Sequence, residues 1–292
     1  MISLSNVQKI ALLTDSTADL SPALREGKPI YTVPLKIVCT DGEYSDGVDI
    51  FAGDIYERLH RGELPRTSLP DGGSVSDTLD QIKADGYERV LAVMLSSGLS
   101  GTYNMVRLLA ETRSDLEIAV FDSKSGSLGM GIMVLQLWED ILAGADWHTL
   151  VHKRVPQLID NTFPFFSVDT LEYLSKGGRI GKVTALAGTL LSIKPVISFA
   201  GDGQLQSVAK VRGRRQVQDK ILDLMAQKLK PGMRYNLGIA NGGAPEEMAE
   251  FAVRMRERFP NAEHMWEGEI DATLSVYIGD GVLGGGIQLL ED

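Results

Sequence analysis

The chain holds one cysteine, Cys39, so it can form no intramolecular disulfide and no cysteine-built zinc site. It also lacks long apolar runs. None approaches the ~20 residues that a helix needs to span a bilayer. Positive charge is in deficit: 29 Lys and Arg against 39 Asp and Glu give a net −10, which argues against a broad nucleic-acid footprint or binding to an anionic membrane surface. Histidine is scarce, four in 292 residues, which leaves few bases to activate a nucleophile. There is no repeat at a fixed period and no low-complexity linker. Residues 1–9 lack the basic-then-apolar pattern of a secretory leader, and with a single cysteine this reads as a cytoplasmic protein.

What the chain does have is apolar content, 43% of residues, enough for two domains or one large one. Its most informative stretch is Leu91–Ala92–Val93–Met94–Leu95, a short run that reads as a buried strand. Ser96, Ser97, Ser100 and Thr102 follow, spaced by Gly98 and Gly101, before helical signals begin at Tyr103. A strand that ends in such a loop and enters a helix offers free backbone N–H groups, a positive helix end and orienting hydroxyls, the makings of an anion seat. An ordinary N-cap with surplus serines is the plainer alternative. The pattern recurs, however. Ile10–Leu13 leads into Thr14–Asp15–Ser16–Thr17, and Glu117–Phe121 leads into Asp122–Ser123–Lys124–Ser125–Gly126–Ser127.

Three strand–polar loop–helix units predict a doubly wound, mostly parallel α/β sheet, with all three loops gathered at the carboxyl ends of the strands. The helix expected over Leu128–Leu142 is apolar on most faces and so must lie between two layers. A change of texture near Asn161 divides the chain into an N-terminal α/β domain, 1–160, and a C-terminal α/β domain, 161–292. In the second part we expect a strand at Phe163–Val168 and a short helix at Leu171–Ser175, stopped by Gly177–Gly178, with Arg179 presented on the turn. An apolar helix is expected over Thr184–Ile193, then a hairpin around Gly201–Asp202–Gly203. Lys210, Arg212, Arg214 and Arg215 are read as opening a helix that runs to Leu229, and Gly279–Gly286 as a glycine-rich tail.

No catalytic constellation stands out. Gly98–Leu99–Ser100–Gly101–Thr102 misses the nucleophile elbow by one glycine, and no histidine falls in a hydroxyl loop. His148 and His152 lie four apart without the glutamate of a zincin, and no Walker loop or dinucleotide fingerprint is present. Binding fits better. Thr67, Ser96, Ser97 and Ser100 with Arg179 suit one carboxylate or phosphate head group, since hydroxyls both donate and accept and a guanidinium adds a planar fork. The apolar helices could wall a slot beside it, each buried methylene contributing about 0.8 kcal/mol. Plain core for the helices, and a purely structural role for Arg179, are the competing readings.

Several longer motifs occur in a characteristic order: Thr14–Asp15–Ser16–Thr17–Ala18–Asp19–Leu20, Thr67–Ser68–x–Pro70, Leu95 to Tyr103, Phe121–Asp122–Ser123 and Leu171–Glu172–Tyr173–Leu174–x–Lys176–Gly177–Gly178–Arg179–Ile180. Leu191–x–Ile193–Lys194–Pro195 and Lys210–x–Arg212 follow. In these the chain resembles the DegV family over essentially its whole length. The resemblance implies a two-domain protein that encloses a long-chain fatty acid and presents its carboxylate to a separate ATP-dependent kinase subunit, as the acyl-binding subunit of bacterial fatty acid kinase does, for use in phospholipid synthesis. It implies a carrier with no cofactor beyond the bound acid and no catalytic residue of its own, and a monomer is expected. Thr67 and Ser100 would bond the carboxylate, with Arg179 nearby.

Two departures stand out. Leu69 replaces a usual glutamine, and Tyr277–Ile278–Gly279–Asp280–Gly281 replaces the usual His-x-Gly-x-Gly. A phenol supplies no positive charge, though Tyr277 can still donate a hydrogen bond to the ligand. Two other functions compete: an acyl hydrolase with Ser100 as nucleophile, and a regulatory module that docks a partner through Lys210–Arg215.

Overall fold

The computed structural model describes residues 6–186 and 193–290. Its strands are β1 (Ile10–Asp15), β2 (Ile30–Val33), β3 (Lys36–Cys39), β4 (Gly42–Ser45), β5 (Arg66–Ser68), β6 (Arg89–Met94) and β7 (Glu117–Asp122). They continue with β8 (Thr162–Ser167), β9 (Ile193–Phe199), β10 (Leu205–Arg212), β11 (Tyr235–Gly242), β12 (Met265–Glu269) and β13 (Val282–Leu289).

The first sheet is parallel throughout, in the order β2-β1-β6-β7. All six residues of β1 are buried, as expected for a parallel strand covered on both faces. The period of two sorts them. Ala11 and Leu13 pack with Val90, Ala92 and Met94 against the helices Gly72–Ala84 and Thr102–Ala110. Ile10 and Leu12 pack with Leu91 and Val93 against Met130, Met133 and Val134 of the helix Leu128–Leu142. The second sheet is mixed, in the order β10-β9-β8-β13-β11-β12, with only β11 and β12 parallel. Leu128 and Ile132, on the other side of that central helix, pack with Ala240, Val168 and Ile197 of this second half. Twelve of the helix's fifteen residues are buried, because it is the layer between the two sheets. A small antiparallel sheet, β4-β3-β5, sits apart and carries Thr67, paired with Ile37.

The doubly wound expectation for the first half therefore holds, and so does the hairpin, β9 running antiparallel to β10 around Gly201–Gly203. Three local readings change. Lys210 and Arg212 belong to β10, and the helix begins only at Arg214, after Gly213 turns the chain with φ +82°. Of the helix expected over Thr184–Ile193, residues 187–192 lie outside the described residues; its first three belong to a 3-10 turn, Gly181–Leu186, and Ile193 already opens β9. The glycine-rich stretch is no tail. Val282–Leu289 is β13, hydrogen-bonded to β11 on one side and β8 on the other in the middle of the second sheet. Gly284, Gly285 and Gly286 mask it because glycine is depleted in strands.

Candidate functional site

The three hydroxyl loops converge as the topology requires. Asp15, at the end of β1, accepts hydrogen bonds from Thr17 N (3.0 Å) and from Leu95 N (2.8 Å), which ties the first loop to the second. Ser96 N donates to Ser125 O (2.9 Å), which ties the second to the third. Within the second loop the serines divide their work. Ser96 is fully buried and its hydroxyl donates to Gly203 O of the β9–β10 hairpin (2.8 Å). Ser97 donates through its hydroxyl to the Asp122 carboxylate at the end of β7, and through its N–H to Asp122 Oδ1 (3.0 Å). Neither lines a cavity; both brace the loop. Ser100 alone of the three lines the cavity described next, its Oγ bonded to Thr102 Oγ1 (2.9 Å) and Thr102 N (3.3 Å) at the start of the following helix.

That cavity has a water-accessible volume of ≈ 110 Å³ and lies between the central helix and the second sheet. Thr67, Ser100, Arg179 and Tyr277 line it together. Thr67 Oγ1 and Tyr277 Oη are 2.5 Å apart, across 210 residues of sequence. The Arg179 guanidinium stacks over the Tyr277 ring, its Cζ 5.0 Å from the centroid, and donates to Gly177 O (2.7 Å) and Leu99 O (3.4 Å). It thus ties down the glycine turn and joins the head group cluster at once. The turn itself follows from Gly178, whose φ of +72° lets Arg179 N return to Leu174 O (3.0 Å). At Gly177 a Cβ would stand 2.3 Å from Tyr277 Cδ1, so any side chain there would displace the ring.

Most of the rest of the wall is apolar. Leu95, Leu99, Leu128, Ile132, Phe166 and Phe199 are among its side chains. Gly284 and Gly286 form its floor strip: the atoms nearest a Cβ on either belong to the adjacent strand β8 (Phe166 Cβ at 3.1 Å, Pro164 Cα at 3.2 Å). The volume would house roughly seven to eleven waters at ~10–15 Å³ each, but each needs two to four polar partners that most of the wall lacks. An apolar occupant fits. Sequence reasoning missed one hydroxyl here. Thr273 lies one helical turn before Tyr277, is 2% exposed, lines the cavity, and its Oγ1 has no partner among the described residues. Its spacing of four from Tyr277 was the available signal.

Beneath this end lies a group of carboxyls, Asp15, Asp19, Asp46 and Asp271. Burial raises Asp15 from 3.8 to about 6 and Asp19 to about 7, against the pull of their hydrogen bonds. Burial also raises Asp271, followed by the charges of Asp46 and Asp19. Asp271 Oδ2 has no hydrogen-bond partner among the described residues, and burial beside two other carboxyls favours the protonated form of Asp271. Asp46 accepts from Ala272 N (3.0 Å) and Thr273 N (3.3 Å), which fixes the start of the helix Ala272–Ile278 that carries Thr273 and Tyr277.

Elsewhere, Cys39, Asp41 and Glu63 converge closely enough to hold an ion, but the Arg58 guanidinium already sits at 2.8 Å from Asp41 and 3.0 Å from Glu63 and supplies the positive charge. None of the four histidines lines the cavity. His60 pairs with Asp280, His148 packs at a tilt against His152 and His264 stacks on Trp266, so Ser100 has no imidazole to take its proton. Arg214 is held by Glu247, Asp169 and Gly281 O, which makes it a clamp inside the second half. Among the described residues, no helix is long and apolar enough to cross a membrane.

Fold and cavity together define a class: a two-sheet α/β protein enclosing an apolar chamber capped by hydroxyls and one guanidinium. Comparison with known proteins narrows it. The chain belongs to the DegV family, whose profile ("Uncharacterised protein, DegV family") matches residues 9–289. A DegV domain-containing protein of Clostridium acetobutylicum is 36% identical over 278 residues, 95% of this chain and 98% of the relative. A solved DegV family protein from Thermus thermophilus, described for its fatty acid binding, superposes with a TM-score of 0.90 at 28% identity, over 97% of this chain and all of the other. A stearic acid-binding protein from Eubacterium ventriosum superposes with a TM-score of 0.86 at 26% identity, over 96% and 98% of the two chains. The family resemblance read from the motifs is therefore established.

Proposed function

We propose that this protein is a non-enzymatic carrier of a long-chain fatty acid. The acyl chain lies over Gly284 and Gly286 beneath the central helix, and the carboxylate sits among Thr67, Ser100, Arg179 and Tyr277. The observation that carries this reading is a single cavity with a polar cluster at one place in an otherwise apolar wall, built from four separate segments of the chain. The fatty acids described for its structural neighbours support it. The exposed side of the head group cluster suits hand-over: Thr67, Ser100, Arg179 and Tyr277 are each half-buried, so the carboxylate would remain reachable by a separate ATP-dependent kinase. Phosphorylation there would give an acyl phosphate for lipid synthesis, with this chain supplying position and charge and the partner supplying the phosphoryl group.

Native mass spectrometry of the purified protein, before and after incubation with a long-chain fatty acid, tests the carrier reading. A bound acid of one stoichiometric equivalent is expected, and Ser100→Ala should retain it less well. Protein that stays ligand-free in both conditions refutes the reading.

A further inference from the structure

Beyond the apolar inner wall of the cavity lies a buried polar layer. On the face of the second sheet that lines the cavity, the strand register sets residues of β11, β13 and β8 in rows. Ala240, Gly284 and Phe166 make one row, and Gly238, Gly286 and Pro164 the next. All six line the cavity. Two residues further along each strand, on the same face, come Asn236, Gln288 and Thr162. From the first row to this one the strands advance four residues, about 13 Å. The central helix repeats the change: Leu128 and Ile132 line the cavity, and Gln136 lies one turn beyond. Apolar walls thus give way, on four elements at once, to three amides and a hydroxyl that are all buried.

These groups form one chain of hydrogen bonds whose direction is set from outside. Thr162 Oγ1 donates to the backbone carbonyl of Leu158 (2.7 Å), so it can only accept from Gln288 Nε2 (3.1 Å). Gln136 Nε2 donates to Asp140 (2.9 Å), a carboxylate paired with Arg154. Both glutamines therefore turn their oxygens inward, and Asn236 Nδ2 donates to each, at 2.7 Å and 3.0 Å. Flipping the Asn236 amide would set oxygen against oxygen at both contacts, so its orientation is determined. What remains is Asn236 Oδ1: fully buried, an acceptor only, and without a donor among the described residues. The adjacent rows on β11 and β13 are Gly238 and Gly286; Ile132 packs over Gly238, where a Cβ would stand 3.1 Å from its Cγ2, so the cavity comes nearest this layer over Gly286.

From this we infer that the closed end of the cavity is a donor-seeking subsite, matched to an acyl chain that carries a hydroxyl at or next to its terminal carbon. The inference rests on the carrier reading and adds a ligand class to it. Against an apolar floor, a terminal hydroxyl leaves water for no partner and weakens binding. Against Asn236 Oδ1 it replaces its lost hydrogen bond and satisfies the buried acceptor as well, and binding tightens. The sign of the effect decides.

The test measures affinity, by calorimetry or by displacement of a fluorescent acid, for straight-chain saturated fatty acids of increasing length and for the same series hydroxylated on the last or next-to-last carbon. At the length whose terminus reaches the floor, the hydroxylated acid should bind wild-type protein about tenfold more tightly than its parent. Asn236→Leu should reverse that order. Parent acids that bind while every hydroxylated partner binds equally or more weakly overturn the inference and leave the carrier reading intact. Failure of both series to bind overturns both. Should Asn236→Leu not fold, the wild-type comparison across lengths decides alone.

Discussion

Gly286→Val is the sharpest probe of the acyl slot. Gly286 lies in β13, its φ is not in the left-handed region, and a Cβ would meet Pro164 Cα at 3.2 Å and Phe163 O at 3.3 Å, both on the neighbouring strand. A β-branched side chain suits a strand, and the tight contact needs a shift of a few tenths of an ångström, an overpacking cost of about 1 kcal/mol. The rest of the valine projects into the slot. The stretch of slot it blocks, from the Gly284 row to the Gly286 row, is two residues of strand or about 7 Å, which an extended chain fills with roughly five methylenes. At about 0.8 kcal/mol for each methylene denied burial, the loss is about 4 kcal/mol, or roughly a thousandfold in Kd. Calorimetric titration with acids of increasing length should show wild-type affinity climbing with each added carbon, and the variant following it for short acids and then levelling off. A thermal melt within a few degrees of wild type guards against misfolding. A variant whose affinity for the longest acid stays within threefold of wild type would show that the chain does not run over Gly286.

Tyr277→Phe keeps the ring that stacks on Arg179 and fills the space over Gly177, but removes the hydroxyl beside Thr67. Fatty-acid affinity should fall about fivefold, the worth of one ordinary hydrogen bond, with the melting temperature unchanged; equal affinity would take Tyr277 out of the head group site. The buried carboxyls make stability depend on pH. Asp15 and Asp19 hold their protons to about 6 and about 7 in the native state, while the unfolded chain releases them near 3.8, so the native state binds more protons across that window. Stability contributed by these groups is full below pH ~4 and is lost as pH rises through ~7. Urea midpoints should therefore fall from pH 5 to pH 8, and Asp19→Asn should flatten the slope. A midpoint that rises over the same range would contradict the buried-proton account.

Hydrophobic period and turn chemistry were enough to read the architecture of the first half. A run such as Ile10–Leu13 or Leu91–Leu95 is short, apolar throughout and followed by loop-forming hydroxyls, and only a two-face-buried strand leading to a helix satisfies all three. The same local logic found the central helix, since twelve buried positions in fifteen cannot be hidden except between layers. The motif order from Thr14 to Ile180 carried the family, because several of the motifs are long and they follow one another in a characteristic order.

Tertiary structure decided the rest, and for one reason: a hydroxyl's role depends on what stands opposite it, and that partner is distant in sequence. Ser96, Ser97 and Ser100 are alike in composition and spacing, yet Gly203 engages the first, Asp122 the second, and only the third reaches the cavity. The amide pair Asn236 and Gln288 gave no local sign of their position, since register across β13 and β11 is what sets them side by side beyond the chamber. The three glycines from 284 to 286 read as a loose end in the one-dimensional pattern. In the sheet they pair on both sides, and the missing side chains of Gly284 and Gly286 leave the space that makes the cavity.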